Sequence, residues 1–425
     1  MLKQRYLPFI VATIFIDAIG FGFIMPVLPQ LLMRVAHADL SGAISIGATM
    51  GLAMALATFF ASPILGNLSD HFGRRPVLLI ALAGLSVDYL LTALANTLPL
   101  VFVGRIISGI FGGSYGPAQA AIADITPPDQ RARNFGYVGA AFGVGFVLGP
   151  ALGGLLAVWG DRAPFYAASA LAALNFAYGL FVFPETLAVD QRRAFDWRRA
   201  NPLGALRTIR AAPGMARIAV VLLLWQIASL VYPLVWSFYG IAAFGWSPAM
   251  IGASLAGVGV VIALSQGLIT GRIVKRFGER KAAMIGLLGA VGGFVAYGFA
   301  TRTWMAFAAM AFIALQSCVQ PSLMALLTRR ATPQTQGETQ GISAMAMGLG
   351  SIVAPLLLTG TMAEFTGPGA IAQFPGAPFL VSAVFGLAAL AVLAATPRVP
   401  AAQAKVVPAA QAEVVPGDGI EPPTP

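Results

Sequence analysis

The sequence predicts an all-α membrane protein, with twelve transmembrane helices arranged as two six-helix bundles. Three observations predict it. The first is composition: of 425 residues, 58% are hydrophobic and only 10% are charged, with a mean hydropathy of +0.81. Soluble proteins carry about 25% charged residues, and in water this chain would expose large apolar patches. Ordinary soluble enzymes and disordered scaffolds are therefore excluded. The second is the presence of twelve apolar runs, each close to the roughly 20 residues needed to cross a hydrocarbon core of about 30 Å. The third is an internal repeat that divides those runs six and six.

The runs lie near residues 7–29, 44–65, 77–96, 98–120, 135–157, 164–184, 216–238, 248–270, 282–300, 304–327, 341–363 and 376–395. The first is longer than the apolar stretch of a signal peptide and holds Asp17 in its middle, so it is expected to be retained. Residues 1–186 form the predicted N-terminal bundle and 216–396 the C-terminal bundle. Between them, 187–215 is an Arg-rich linker expected to lie on the membrane surface, with Phe195 and Trp197 beside its charges. The tail, 397–425, is rich in Pro, Ala and Val and is expected to be disordered.

Lys and Arg set the expected orientation. With a cytoplasmic N-terminus, 22 of the 26 basic residues fall in inside segments and only Arg34, Arg162 and Arg302 fall outside. Both termini are thus expected in the cytoplasm, in a multi-pass inner membrane protein. The formal charge of +10 is explained by these loop clusters rather than by a nucleic-acid surface, and no nucleic-acid partner is expected. The single cysteine, Cys318, excludes an internal disulfide framework, and two distant histidines make no metal site. No cofactor is expected.

A gapless shift of 205 residues exposes the repeat. Gly66 falls on Gly271, Gly73 on Gly278, Arg75 on Arg280, Gly145 on Gly350 and Pro150 on Pro355. An even number of helices separates the copies, so both have the same topology. This is the plan of two-bundle secondary transporters, whose binding site lies between the halves.

Charged residues inside hydrocarbon cost about 2.5–3.5 kcal/mol each, so the few present mark function. Asp17, Asp88 and Arg105 all lie near the membrane midplane. Asp17 shares a helical face with Thr13 and Gly20, Asp88 with Gly84 and Thr92, and Arg105 with Ser108, Gly109, Gly112 and Gly113. Small and polar neighbours mark a bundle interior, so the three are expected to converge within the N-terminal half. A carboxylate that loses water holds its proton more strongly, and a nearby Arg reverses this. Changing those surroundings between two transporter states would load and unload a proton. The bland alternative is a static buried ion pair. The second half has no acid within any helix core, and Met310 stands where Arg105 would repeat.

Residues 66–79, GNLSDHFGRRPVLL, read as the loop between helices 2 and 3, with Gly66 and Gly73 permitting tight turns. This stretch resembles the signature loop of the major facilitator superfamily, in its drug:proton antiporter branch. That resemblance implies that Asp70 docks on the start of helix 11. It also implies that Arg74, with Arg75 beside it, pairs with Asp124 at the end of helix 4, latching the inside gate. GRIISGIFGGSYG at 104–116 resembles the family's helix 4 motif, which implicates Arg105 in proton transfer. GFVLGPALGG at 145–154 resembles the antiporter motif of helix 5 at Gly145, Gly149, Pro150, Gly153 and Gly154. Physically, this glycine spacing allows close helix approach, and Pro150 bends the helix. FIDAIGFGFIMPVLP, SVDYLLTALA and IADITPPDQRARNFGY are similar to the tetracycline efflux subfamily. Those exporters also use an Asp on helix 9, and helix 9 here has none.

Substrate contacts are expected from both halves: Gln119 on one side, and Trp225, Gln226, Tyr232, Trp236, Gln316 and Gln320 on the other. Aromatic and amide groups suit an amphipathic multi-ring drug. For Gln226 and Gln316 interhelical hydrogen bonding is the alternative, and for Trp236 and Tyr239 an interfacial belt. The expected protein is a proton-coupled antiporter, not an enzyme, acting as a monomer in the bilayer with protons as coupling ion. It would export a small amphipathic, tetracycline-like drug. Transport of an endogenous metabolite or another substrate is the alternative.

Overall fold

A computed structural model describes residues 6–112, 115–127, 130–197, 201, 213–330 and 336–397. Residues 198–200 and 202–212 of the predicted linker and the tail from 398 onward lie outside the described residues, as does Gly113.

The described secondary structure is helical. The passages are α1 (Leu7–Ile24), α2 (Leu40–Phe72), α3 (Arg74–Leu94), α4 (Leu98–Ile125), α5 (Arg131–Leu156) and α6 (Ala163–Val182). The second half holds α7 (Met215–Phe244), α8 and α9, α10 (Thr303–Thr328), α11 (Gly341–Thr366) and α12 (Ala377–Ala395). Helices α8 and α9 are the two arms of one stretch, Pro248–Gly298, which breaks at Gly278. Eleven long apolar segments thus supply twelve passages among the described residues. A short helix, Leu28–Ala36, completes the first passage after α1.

The repeat is visible in the backbone. Gly73 has φ 109° and ψ 164°, and Gly278 has φ 76° and ψ 162°. Both lie in the left-handed region open to glycine, and each reverses the chain between two long helices. Gly66 is different. It lies within α2, with open space where a Cβ would stand, so it makes no turn. The expected loop at 66–79 is therefore one residue long, because the helices run on either side of Gly73.

Close packing sets the layout. Helix α5 is sandwiched between α1 and α8. A Cβ on Gly145 would stand 2.7 Å from the Ala18 Cβ, and one on Gly149 would stand 2.8 Å from the Gly22 Cα. On the other side, a Cβ on Gly252 of α8 would stand 2.3 Å from the Pro150 carbonyl oxygen. Helix α2 packs likewise on α11, and Ser41 donates to the Ala363 carbonyl at 3.2 Å. Ser237 of α7 donates to the Met25 carbonyl at 2.7 Å.

These contacts between halves gather at the end of the molecule away from the termini. Toward the end that carries the termini, Gly139 and Gly143 of α5 and Gly267 and Gly271 of α8 have open space for 4 Å around the point where a Cβ would stand. The halves are joined at the far end and part toward the terminal end.

Candidate functional site

Between the halves lies a cavity of about 370 Å³, within the range that takes a drug-sized ligand. Phe21 and Met25 line it beside Met50, Met54 and Thr58 of α2, with Tyr89 and Arg105 behind them. The second half contributes Pro233, Leu234 and Phe238 of α7, and Ser351, Pro355 and Thr359 from the α11 passage. The wall is mainly apolar, and three flexible methionines give it an adaptable surface.

Among the described residues, Arg105 carries the only charge in that lining. Its guanidinium Nη2 lies 3.4 Å from Asp88 Oδ2 and 3.4 Å from Thr92 Oγ1. Thr92 also donates to Asp88 Oδ1 at 3.4 Å. Asp88 is fully buried, and the Arg105 side chain is 8% exposed. One nitrogen makes these long contacts, and Arg105 Nε is buried without a partner among the described residues. The pair is therefore looser than a bidentate Arg–carboxylate bridge, which holds two short parallel bonds. Gly104 makes room for it: a Cβ there would stand 2.7 Å from Thr92 Oγ1 and 2.8 Å from Asp88 Oδ1. Gly109 lets the same helix meet α2, where Thr58 donates to the Gly109 carbonyl at 2.9 Å.

Asp17 stands apart from this pair. Asn175 of α6, itself fully buried, donates to Asp17 Oδ1 at 3.2 Å and to the Thr13 carbonyl at 3.3 Å. No ion pair involves Asp17 among the described residues. Tyr89 occupies the ground between: it lies against Gly20 of α1 and opens on the cavity. The expected three-way convergence is thus a pair plus a separate carboxylate, because α1 faces α6 at Asp17 rather than α4.

At the terminal end, Arg74 gathers the gate residues. Its Nε donates to Asp124 Oδ2 at 3.0 Å, and its Nη1 to Asp70 Oδ1 at 2.5 Å. Arg75 donates to the Leu180 carbonyl at 2.7 Å. Among the described residues the Asp70 carboxylate accepts from Arg74, and its carbonyl accepts from the Arg193 amide at 3.0 Å; residues 331–335, which precede α11 where Asp70 is expected to dock, lie outside the described residues. Asn67 and His71 bond to the carbonyls of Asp196 and Arg193, so the described start of the linker is tied to the end of α2.

The second half carries the same device with its charges inverted. Under the shift of 205, Asp70, Arg74 and Asp124 fall on Lys275, Glu279 and Arg329. Arg329 pairs with Glu279 as Arg74 pairs with Asp124. The repeat already visible in the sequence holds this inversion, which pairwise comparison of charges at that offset reveals.

The expected substrate residues lie outside the lining of this cavity. Tyr232 donates to Gln316 at 3.1 Å and packs on Trp236, Phe294 and Tyr297. Trp236 is 1% exposed and donates to Ser254 Oγ at 2.8 Å. Tyr239 is equally buried and donates to the Tyr297 carbonyl, so neither ring belongs to an interfacial belt. Trp225 is buried, and Gln226 packs on Gly350 of α11. Gln119 and Gln320 are half-buried. None of the seven lines the central cavity. Apart from Arg105 and its neighbour Ser108, the residues that do line it, and the supporting Asn175 and Glu185, escaped the sequence reading. A lone Asn in the apolar run of α6 was the available signal for Asn175.

The family model described as Major Facilitator Superfamily matches residues 10–242 and 227–419. The chain is 41% identical over 359 residues to the tetracycline resistance protein, class C, of Escherichia coli, covering 84% of this chain and 90% of that one. It is 36% identical over 378 residues to the class G protein of Vibrio anguillarum, covering 89% and 94%. The crystal structure of the human organic anion transporter MFSD10 superposes with a TM-score of 0.70 at 23% identity, covering 92% of this chain and 99% of that one. Two six-helix repeats around a central cavity, together with these matches, place the chain in the Major Facilitator Superfamily.

Proposed function

We propose that this protein exports a tetracycline-like amphipathic drug in exchange for protons, by alternating access. The Asp88–Arg105 pair at the edge of the central cavity carries this reading, in a chain 41% identical to a tetracycline resistance protein. Arg105 touches both the cavity and the buried carboxylate. A ligand that draws the guanidinium toward the cavity leaves Asp88 without its counter-ion, and a buried carboxylate without one holds a proton. Asp17, held by Asn175, is a second proton site on the path from the terminal end. Closure of the terminal end would bring the parted helices α5 and α8 together beneath a loaded cavity.

The Lys/Arg bias supports both termini in the cytoplasm and placement in an inner membrane. The terminal opening then faces the cytoplasm, where an exporter loads. The protein works as a monomer, with protons as coupling ion, no cofactor and no catalytic chemistry. A second reading, export of a different amphipathic drug, is favoured by one observation: α9 has no acid beyond Glu279 at its start. Cells producing the protein should accumulate less tetracycline than control cells, and an uncoupler should abolish the difference. Equal accumulation of tetracycline, with reduced accumulation of another amphipathic drug, would select the second reading.

A further inference from the structure

The two halves finish the same turn in different ways. Past α6 the chain reads Pro184-Glu185. The Glu185 carboxylate accepts the Arg74 amide at 2.8 Å and the Arg75 amide at 3.3 Å. It also accepts the amides of Thr186 and Leu187, each at 3.0 Å. One acid thus caps the start of α3, where free N–H groups and the helix dipole favour negative charge.

Past α12 the chain reads Pro397-Arg398, with a cation where the first half has its acid. At the corresponding place, beside the start of α9, the structure has a cavity of about 640 Å³. Arg280, Lys281, Arg329 and Arg330 line it, and Glu279 is the acid among its described lining residues. The guanidiniums are aimed by backbone carbonyls. Arg280 Nη2 donates to Leu393 at 3.1 Å and Ala394 at 2.8 Å, and Arg330 Nη2 donates to Pro397 at 2.8 Å. Burial, and then the charges of Arg280 and Arg217, hold Arg330 below the usual arginine range. Like charges are crowded here. Ile218, Met284 and Leu326 supply an apolar wall beside them.

We propose that this cavity binds the phosphate headgroup of an anionic phospholipid, which takes the place that Glu185 fills in the first half. The site lies where α9, α10 and α12 leave the membrane, at headgroup level, and the apolar wall leads toward the acyl region. Basic pockets between helix ends recognise anionic headgroups in this way, and Arg supplies paired donors to phosphate oxygens. The inference does not depend on which drug is carried.

The test uses full-length, delipidated protein in neutral detergent, titrated with phosphatidylglycerol, phosphatidylcholine or inorganic phosphate. Bound lipid is counted by native mass spectrometry, and Tm is followed in parallel. Phosphatidylglycerol should be retained and should raise Tm, while phosphatidylcholine should do neither. The Lys281→Gln/Arg330→Gln protein should bind phosphatidylglycerol about thirtyfold more weakly. Glu279→Gln, which removes the competing acid, should bind it more tightly, a gain that misfolding cannot imitate. Equal retention of the two lipids, or unchanged affinity in Glu279→Gln, overturns the proposal. Stabilisation by inorganic phosphate with no preference between the lipids overturns the lipid as the source of the anion.

Discussion

Gly104→Ala tests the central pair through a single methyl group. The structure leaves 2.7 Å from that methyl to Thr92 Oγ1 and 2.8 Å to Asp88 Oδ1. Ordinary contacts between carbon atoms lie near 3.5–4.0 Å, so the carboxylate must retreat by roughly 0.7 Å or α3 and α4 must part. Asp88 already stands 3.4 Å from Arg105 Nη2, at the limit of a useful bond, and retreat breaks the pair. Overpacking of this kind costs about 1–3 kcal/mol, a factor of roughly 5–150 in the population of the competent arrangement. Tetracycline uptake into everted membrane vesicles, normalised to protein level, should fall within that range. Gly112→Ala is the control: it sits on the same helix with nothing within 4 Å, and its effect should stay within about 0.5 kcal/mol. Wild-type uptake by Gly104→Ala would refute the argument that Gly104 exists to admit Asp88 and Thr92.

Asp17→Asn should abolish uphill export while leaving the protein folded in the membrane; drug resistance equal to wild type in that variant would falsify its role as a proton site. Arg105→Ala should damage transport more than Arg302→Ala, since Arg302 is exposed in a loop and Arg105 is buried beside Asp88; equal losses count against the central pair. Glu185→Ala removes the acceptor shared by four amides and should lower stability by about 1–2 kcal/mol, as loss of a helix cap does; a Tm identical to wild type contradicts this. Far-end closure is tested by Ser41→Cys/Gly367→Cys, where a Cβ on Gly367 would stand 3.7 Å from the Ser41 Cβ, within disulfide reach. In a Cys318→Ser background the bridge should form on oxidation, stop transport, and release it on reduction. Normal transport by the bridged protein would rule out far-end opening in the cycle.

The legible parts of the site were those where hydrocarbon makes chemistry expensive. Asp88 and Arg105 could be paired from depth and helical face, and Arg74 with Asp124 from the motif the loop resembles. The cavity wall was not legible. Phe21, Met25, Met54 and Phe238 look like any apolar residue in a membrane helix, because lipid, bundle core and drug cavity all accept the same side chains. For the same reason the conspicuous aromatics stood out in the sequence although they do not line the cavity. Trp236 and Tyr232 find their polar partners in Ser254 and Gln316, which fixes them inside the second bundle, away from the cavity.

By itself the sequence determined the number of crossings, the two-fold repeat and the short list of buried charges. Each follows from local rules: helix length against bilayer thickness, glycine and proline at a constant offset, and the cost of charge in hydrocarbon. Only the tertiary structure decided which neighbour each special residue meets. Asp17 meets Asn175 and not Arg105, Glu185 reaches back over a hundred residues to cap α3, and Arg280, Lys281, Arg329 and Arg330 of the second half line a cavity. Those outcomes depend on how helices rotate and tilt against one another. In a chain that is apolar on every face, that choice is made by close contacts such as Gly149 on Gly22 and not by any periodicity along the sequence.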